Sequence, residues 1–106
     1  MSRSPAASAG CIVLRDMSKD DHADLAEMHS ASFANGWSPA AICDLDVSPG
    51  VFGIVADLPN DQNLAGFVMG RTVADEGEIL TIVVESRHRS RGIGAKLLTA
   101  ARRRFS

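Results

Sequence analysis

The 106-residue chain contains no tyrosine, one tryptophan and only two cysteines. Cys11 and Cys43 are too few for a disulfide framework or a cysteine zinc site, and both lie among apolar residues, which predicts buried free thiols in the reducing cytoplasm. No apolar run approaches the ~20 residues of a membrane-spanning helix. The first residues also lack the apolar segment of a secretory signal. We therefore expect a disordered leader over residues 1–10 and a single domain over residues 11–106.

Charge is distributed unevenly along the chain. Residues 1–84 hold 12 acidic and 4 basic side chains, a net charge of −8, whereas residues 85–106 hold 1 acidic and 7 basic side chains, a net charge of +6. A basic segment of this kind favours a polyanionic ligand. Nucleic acid is one such ligand, but the basic segment contains a single aromatic residue, Phe105, and so offers no platform on which bases could stack.

The most informative segment is an apolar strand, Glu78–Val84, followed by a basic turn, Arg87–Gly94, and a helix that begins at the glycines and runs through residues 95–104. β-Branched residues and apolar side chains on both faces predict a strand covered by helices. The first amides of a helix have no intrahelical partner, and glycines without a Cβ let an anion approach them closely. The turn is therefore a predicted site for a phosphate or pyrophosphate.

Two other phosphate-binding loops do not fit this turn. A dinucleotide-binding turn has a third glycine at the position of Leu97, and a P-loop places four residues between its glycines before a Gly-Lys pair that Lys96 does not form. Metal binding is also not expected, because His22 and His29 are seven residues apart on their predicted helix, two turns from each other.

The remaining segments alternate between predicted strands and helices. Ser18 and Ser38 are predicted helix caps, the second followed by Pro39 at the first helical position. The predicted strands are 12–15, 51–56, 64–71 and 78–84, the predicted helices are 19–32, 39–45 and 92–105, and a hairpin loop is expected over 59–63. Leu25, Met28 and the Ala31–Ser32 region are the predicted buried face of the first helix.

The sequence from Arg89 to Gly94 resembles the R/Q-x-x-G-x-G/A acyl-coenzyme A signature of the GNAT superfamily of N-acetyltransferases. Residues 75–84 and 31–38 are similar to the RimI branch, which acetylates protein N-termini, notably on a ribosomal protein. The resemblance implies an α/β fold with a mixed, mostly antiparallel sheet, here strands 1–4, and flanking helices. It also implies acetyl-CoA as cosubstrate, no metal, and an amine acceptor, with a protein N-terminal α-amine as first choice and a small-molecule amine as the next.

Specific residues follow from this resemblance. Backbone groups of Ile82, Val83 and Val84 would pair with the pantetheine arm like an added strand. The pyrophosphate would bind the turn amides of Arg89, Ser90, Arg91, Gly92, Ile93, Gly94 and Ala95. Phe33 and Trp37 would line the acceptor groove, unless Trp37 is a core residue. Glu78 is the candidate general base, since it lies eleven residues before Arg89, the spacing at which some members of the family carry a general-base glutamate on this strand. A carboxyl beside apolar Ile79 and Leu80 would also bind a proton more readily; the alternative is a solvated acid.

The chain departs from the family pattern in what it lacks. No tyrosine is available as general acid, and the fifth strand, fourth helix and closing hairpin of the family are expected beyond Ser106. We therefore expect the amino-terminal portion of an acetyltransferase, with the fourth strand as an unprotected edge through which dimers could form. The alternatives are a non-catalytic CoA-binding fragment and a basic RNA-binding module.

Overall fold

The computed structural model describes residues 12–58, 63–89 and 92–105. The expected leader, the loop residues 59–62, and Ser90 and Arg91 of the basic turn lie outside these ranges. Four strands are described: β1 (Val13–Asp16), β2 (Val51–Leu58), β3 (Asn63–Val73) and β4 (Glu76–Val84). Three α-helices accompany them: α1 (His22–Ser32), α2 (Pro39–Asp46) and α3 (Ile93–Phe105), with 3₁₀ turns at Lys19–Asp21 and Ser86–His88.

The four strands form one antiparallel sheet in the order β1-β2-β3-β4. This confirms the predicted meander and the α/β fold class. β4 therefore has only one strand neighbour among the described residues. A register shift opposite Met69 and Gly70 leaves Leu80 of β4 without a partner in β3, which is a β-bulge.

Both faces of the sheet are covered, as the apolar strands predict. On one face, α3 contributes Ile93, Leu97 and Ala101 to a core with Ile54 and Val68. On the other face, α1 and α2 contribute Leu25, Ala26 and Ile42 to a core that includes Phe67 and Val83. Burial of an aliphatic side chain contributes about 1.5–3 kcal/mol, so these two cores are what hold the helices on the sheet.

The helix pair α1–α2 begins and ends at polar contacts. The Ser38 hydroxyl accepts a hydrogen bond from the Ala41 N–H at 3.1 Å, with Pro39 at the first helical position, which confirms the predicted cap. Ser18 precedes a 3₁₀ turn instead of α1 itself, and its N–H donates to the Asp21 carboxylate at 2.8 Å. His22 Nε2 lies 2.9 Å from Asp46 Oδ2, which ties the start of α1 to the end of α2.

Two side-chain predictions are wrong. Cys43 is exposed, because the helix turns by about 100° per residue and so directs Cys43 away from the buried face at Ile42; Cys11 is outside the described residues. On α1, Ala31 and Ser32 are exposed, whereas Ala26 and His29 are buried with Leu25. Positions 22, 25, 26 and 29 have the i, i+3, i+4, i+7 spacing of one helix face, and the prediction had omitted the two histidines from it.

The described part of the chain contains no helix that is long and apolar enough to cross a membrane.

Candidate functional site

The connection between β4 and α3 is short and tightly hydrogen bonded. The Glu85 N–H donates to the Ala65 carbonyl at 2.8 Å, which continues the ladder with β3 just beyond Val84. The 3₁₀ turn follows at once, and the His88 N–H donates to the Glu85 carbonyl at 2.8 Å. The start of α3 lies beside the end of β4, since a Cβ built on Gly94 would stand 3.6 Å from Val84 Cγ2.

The first amides of α3 have no partner within the described helix. The first hydrogen bond of the helix runs from the Lys96 N–H to the Gly92 carbonyl at 3.1 Å, so the N–H groups of Ile93, Gly94 and Ala95 precede it. Gly92 has φ +75°, and among the described residues no heavy atom other than its own and those of its chain neighbours lies within 4 Å of the place where a Cβ would stand. The backbone conformation therefore requires glycine here, and the space beside it is open.

Positive side chains surround this helix end. The Arg89 Nε donates to the Val84 carbonyl at 3.2 Å, and the Arg89 side chain is exposed. Glu85, on the same connection, is paired with Arg87 at 2.9 Å and lies 3.5 Å from Nε2 of the buried His88. Arg87 thus offsets the negative charge of Glu85, and the helix dipole adds partial positive charge at the start of α3.

The open side of β4 presents alternate peptide groups. In an antiparallel ladder, hydrogen-bonded pairs alternate with non-bonded pairs. Glu85 is bonded to Ala65, so the peptide groups of Val83 face Phe67 of β3, while those of Ile82 and Val84 face away from β3. The sequence predicted that Ile82, Val83 and Val84 all offer backbone groups to a ligand. In the structure, only the peptide groups of Ile82 and Val84 face the open side of β4.

Glu78 lies four residues before Ile82, roughly 13 Å along the strand at 3.3 Å per residue. Its side chain is 57% exposed, and its Oε1 accepts a hydrogen bond from Arg71 Nη2 at 2.6 Å, across the ladder. Ile79 packs on the α3 face of the sheet, so Glu78 lies on the α1–α2 face by alternation.

A buried histidine organises the segment between α1 and α2, the α1–α2 loop (residues 33–38). The His29 Nδ1 accepts the Trp37 backbone N–H at 3.1 Å, and its Nε2 lies 3.3 Å from the Thr81 hydroxyl on β4. Trp37 stacks on the imidazole with ring centroids 4.5 Å apart, and Phe33 packs against it at the same distance. Burial lowers the pKa of His29 below its usual 6.5, so the ring is held neutral.

The two predicted acceptor residues are therefore brought together by a residue that the sequence analysis had treated as ordinary. Phe33 is 45% exposed, and Trp37 is half-buried, with part of its ring against the core beneath α1 and α2. The packing of Trp37 against the core agrees with its reading as a core residue, whereas its role in an acceptor groove stays a prediction. The contact between Trp37 and His29 joins residues eight apart, and the contact between His29 and Thr81 spans 52 positions. No local pattern reveals the second contact.

A cleft of about 630 Å³ lies between α1 and the end of β4. Its wall contains Arg15, which makes two 2.9 Å hydrogen bonds to Asp21 and one of 3.0 Å to Asp57. The Arg15 guanidinium lowers the pKa of the Asp21 carboxyl, and its own pKa is raised in return. Arg89 lines the same cleft, which thus adjoins the basic helix end. The network fixes β1, β2 and the start of α1 to each other.

No group of three or more His, Cys, Asp or Glu side chains suited to a metal ion is found within residues 12–58, 63–89 and 92–105.

Solved structures show the same fold. The ribosomal-protein-S18-alanine N-acetyltransferase of Escherichia coli superposes with a TM-score of 0.77 at 17% identity, covering 90% of this chain and 59% of that one. The PaiA N-acetyltransferase of Thermoplasma acidophilum, solved with coenzyme A, gives 0.71 at 18% identity, with 90% and 72% covered. NAA60 of Arabidopsis thaliana, solved with acetyl-CoA, gives 0.71 at 19% identity, with 85% and 65% covered. The chain thus spans about three fifths of the first of these structures.

No curated protein matches the sequence at a significant level. The family model of the acetyltransferase (GNAT) family, in contrast, matches residues 11–105, which is nearly the whole chain. That match includes the strand, turn and helix on which the anion site is built. The chain therefore belongs to the acetyltransferase (GNAT) family.

Proposed function

We propose that the protein binds acetyl-CoA at the amino end of α3 and along the open side of β4, and transfers the acetyl group to an amine. The observation that carries this proposal is the conformation of Gly92, at φ +75° with open space beside it, immediately before three amides that have no helical partner. Family membership and the coenzyme A complexes of similar structures support it.

The residues at the helix end fit a pyrophosphate. The amides of Ile93, Gly94 and Ala95 donate to its oxygens, and the helix dipole adds partial positive charge. Arg89 and Gly92 supply charge and backbone at the mouth of this site, whereas Ser90 and Arg91, the other members of the proposed set, lie outside the described residues. Because Arg87 already pairs with Glu85, Arg89 is the described guanidinium best placed to contact a phosphate.

The pantetheine arm fits the open side of β4. Its amide groups can pair with Ile82 and Val84 as an added strand would, while Val83 anchors the strand by burying its side chain. The Val84 carbonyl is bound by Arg89 Nε in this structure, so we infer that the arginine moves toward the phosphates when the arm occupies the edge. Acetyl-CoA supplies the thioester that the amine attacks.

We propose a protein N-terminal α-amine as the acceptor, with Phe33 and Trp37 lining its groove. The similar structures include an enzyme named for the alanine of a ribosomal protein, which supports a peptide of that kind. Another neighbour is named as a glucosamine N-acetyltransferase region, so a small-molecule amine is the second candidate. Incubation with acetyl-CoA and either acceptor, followed by mass spectrometry of the acceptor, distinguishes the two.

Glu78 is the proposed general base. Its distance from Ile82 is too great for direct proton transfer, so we infer that one or more waters carry the proton from the amine to its carboxylate. Glu78→Gln is expected to lower kcat by about 10²–10⁴-fold and to leave CoA affinity unchanged, because the side chain lies away from α3. Arg71→Gln, which removes only the partner of Glu78, is the control and should retain most of kcat. A Glu78→Gln enzyme with the parent rate and pH profile would contradict the assignment.

A non-catalytic CoA-binding protein is the alternative. Saturable CoA binding without acetyl transfer to any amine would support it. Transfer that is lost in Gly92→Asp supports the enzyme instead.

A further inference from the structure

The buried side chain of His29 has no part in the acetyl-CoA site described above, yet both of its ring nitrogens are engaged. Nδ1 accepts the Trp37 N–H, so the proton of the neutral ring resides on Nε2, which donates to the Thr81 hydroxyl. A histidine with both nitrogens occupied has no free lone pair with which to abstract a proton. His29 is therefore not a catalytic base.

The two partners of His29 belong to the two surfaces that must meet in the reaction. Trp37 is in the α1–α2 loop, and Thr81 directly precedes Ile82, whose peptide group faces the open side of β4. The imidazole thus bridges the loop and the strand through one hydrogen bond on each side. The aromatic rings of Trp37 and Phe33 pack on the same imidazole, each with its centroid 4.5 Å away.

We propose that His29 is the positioning residue that fixes the α1–α2 loop, with Phe33 and Trp37, at a set distance from the acetyl group held on β4. This inference rests on the proposed acetyl-transfer function. Phe33 is 45% exposed although it packs on a buried ring, so the loop presents an aromatic surface to an incoming acceptor. The acceptor this surface suits is a cationic amine carried on a peptide or other apolar stem, because ring faces attract ammonium groups.

His22 offers a matched control. It lies on the same helix, is as buried as His29, and has a single side-chain partner, Asp46 of α2. His22→Gln therefore perturbs the helix pair without touching the loop or β4. His29→Phe retains a planar ring for stacking but removes both hydrogen bonds, whereas His29→Gln can restore an acceptor for Trp37 and a donor for Thr81.

The first readout is the emission of Trp37, the only tryptophan of the chain. His29→Phe is expected to shift the emission and its accessibility to iodide, because the loop loses its tether, and His22→Gln is expected to leave both at the parent value. Thr81→Val, which removes the β4 end of the bridge, should reproduce part of the His29→Phe change.

The second readout is steady-state kinetics with a peptide that begins with alanine. His29→Phe should raise the acceptor KM about tenfold, which corresponds to ~1.4 kcal/mol, because the loop is no longer tied to β4 through the imidazole. CoA affinity should stay within about twofold of the parent, and His29→Gln should recover most of the loss.

Equal kinetics in the His29→Phe and His22→Gln variants, when the parent protein does transfer acetyl groups, would overturn the inference. A parent that neither binds CoA nor transfers acetyl would instead contradict the proposed function, and the Trp37 emission would then decide alone whether His29 fixes the loop.

Discussion

Gly92 and Gly94 are two residues apart in one motif but serve different physical purposes. Gly92 is needed for its positive φ, whereas a Cβ on Gly94 would lie 3.6 Å from Val84 Cγ2, an ordinary van der Waals distance. This difference explains why the R/Q-x-x-G-x-G/A pattern allows alanine at the position of Gly94 but not at that of Gly92.

Gly92→Ala is expected to lower the free energy of unfolding by roughly 1–2 kcal/mol, the cost of a left-handed conformation for a residue with a Cβ. Gly94→Ala, inside the first turn of α3, is expected to be neutral or stabilising by up to about 1 kcal/mol, because alanine is the better helix former. Urea unfolding of both variants tests the pair. Equal losses in the two variants would contradict the conformational argument.

His29 makes stability depend on pH. Its folded pKa is lowered by burial, so the unfolded chain binds this proton more readily than the folded chain does. The contribution of His29 to the free energy of unfolding is complete above about pH 6.5 and is lost as the pH falls below that value toward the lowered folded pKa. We expect the decrease in stability between pH 6.5 and 5 to be shallower in His29→Gln than in the parent or in His22→Gln, as measured by urea unfolding. A parallel decrease in all three would contradict a neutral His29.

The sequence predicted correctly those residues that act on groups close to them along the chain. The glycines of the turn and the serine and proline that begin α2 act on backbone groups within a few positions, so their spacing alone reveals them. The bridge from Trp37 through His29 to Thr81, and the ion pairs of Arg15 with Asp21 and Asp57, depend on which elements the fold brings together. A single sequence does not reveal which distant elements come into contact.

At the level of elements, the short helix α2 depends on its cap more than the longer helices do. It has eight residues and one fully buried side chain, Ile42. Isolated helices of that length are not stable, so each end contact contributes a large share.

Ser38→Ala is therefore expected to cost about 1 kcal/mol of unfolding free energy, the usual value of an amino-terminal cap. Ser32→Ala, at the exposed end of α1, is the control and should change the stability by less than about 0.5 kcal/mol. Thermal unfolding followed by circular dichroism distinguishes them. A Ser38→Ala variant with the melting temperature of the control would show that packing on the sheet alone holds α2.

The strands were located correctly, but their details were not. β2 ends two residues later than its apolar pattern indicated, and β3 begins one residue earlier and ends two later, because ladder pairing continues into polar residues such as Asp57 and Thr72. The bulge at Leu80 was not foreseen. It places Leu80 and Thr81 both toward α1 and α2, which is what brings the Thr81 hydroxyl to His29. A strand prediction that assumes strict alternation of side chains between the two faces cannot locate a bulge, because a bulge interrupts that alternation.

At the level of the whole molecule, the open side of β4 is the feature with the widest consequence. The peptide groups of Ile82 and Val84 that we assign to the pantetheine arm are also those that a second strand would bind. If dimers form through this edge, as we propose, coenzyme A and the second copy compete for the same groups. Sedimentation velocity should then show concentration-dependent association that saturating CoA reverses. Association that CoA leaves unchanged would place the dimer contact elsewhere.

The central claim is that a pyrophosphate-containing cosubstrate binds where β4 ends and α3 begins. Calorimetric titration of the 106-residue protein with coenzyme A tests it most directly, with Gly92→Asp as the variant and Gly94→Ala as the folded control. The account predicts saturable one-to-one binding by the parent and by Gly94→Ala, and none by Gly92→Asp, because that change adds a Cβ and a negative charge beside the free amides of α3. Undiminished affinity in a folded Gly92→Asp protein would contradict it.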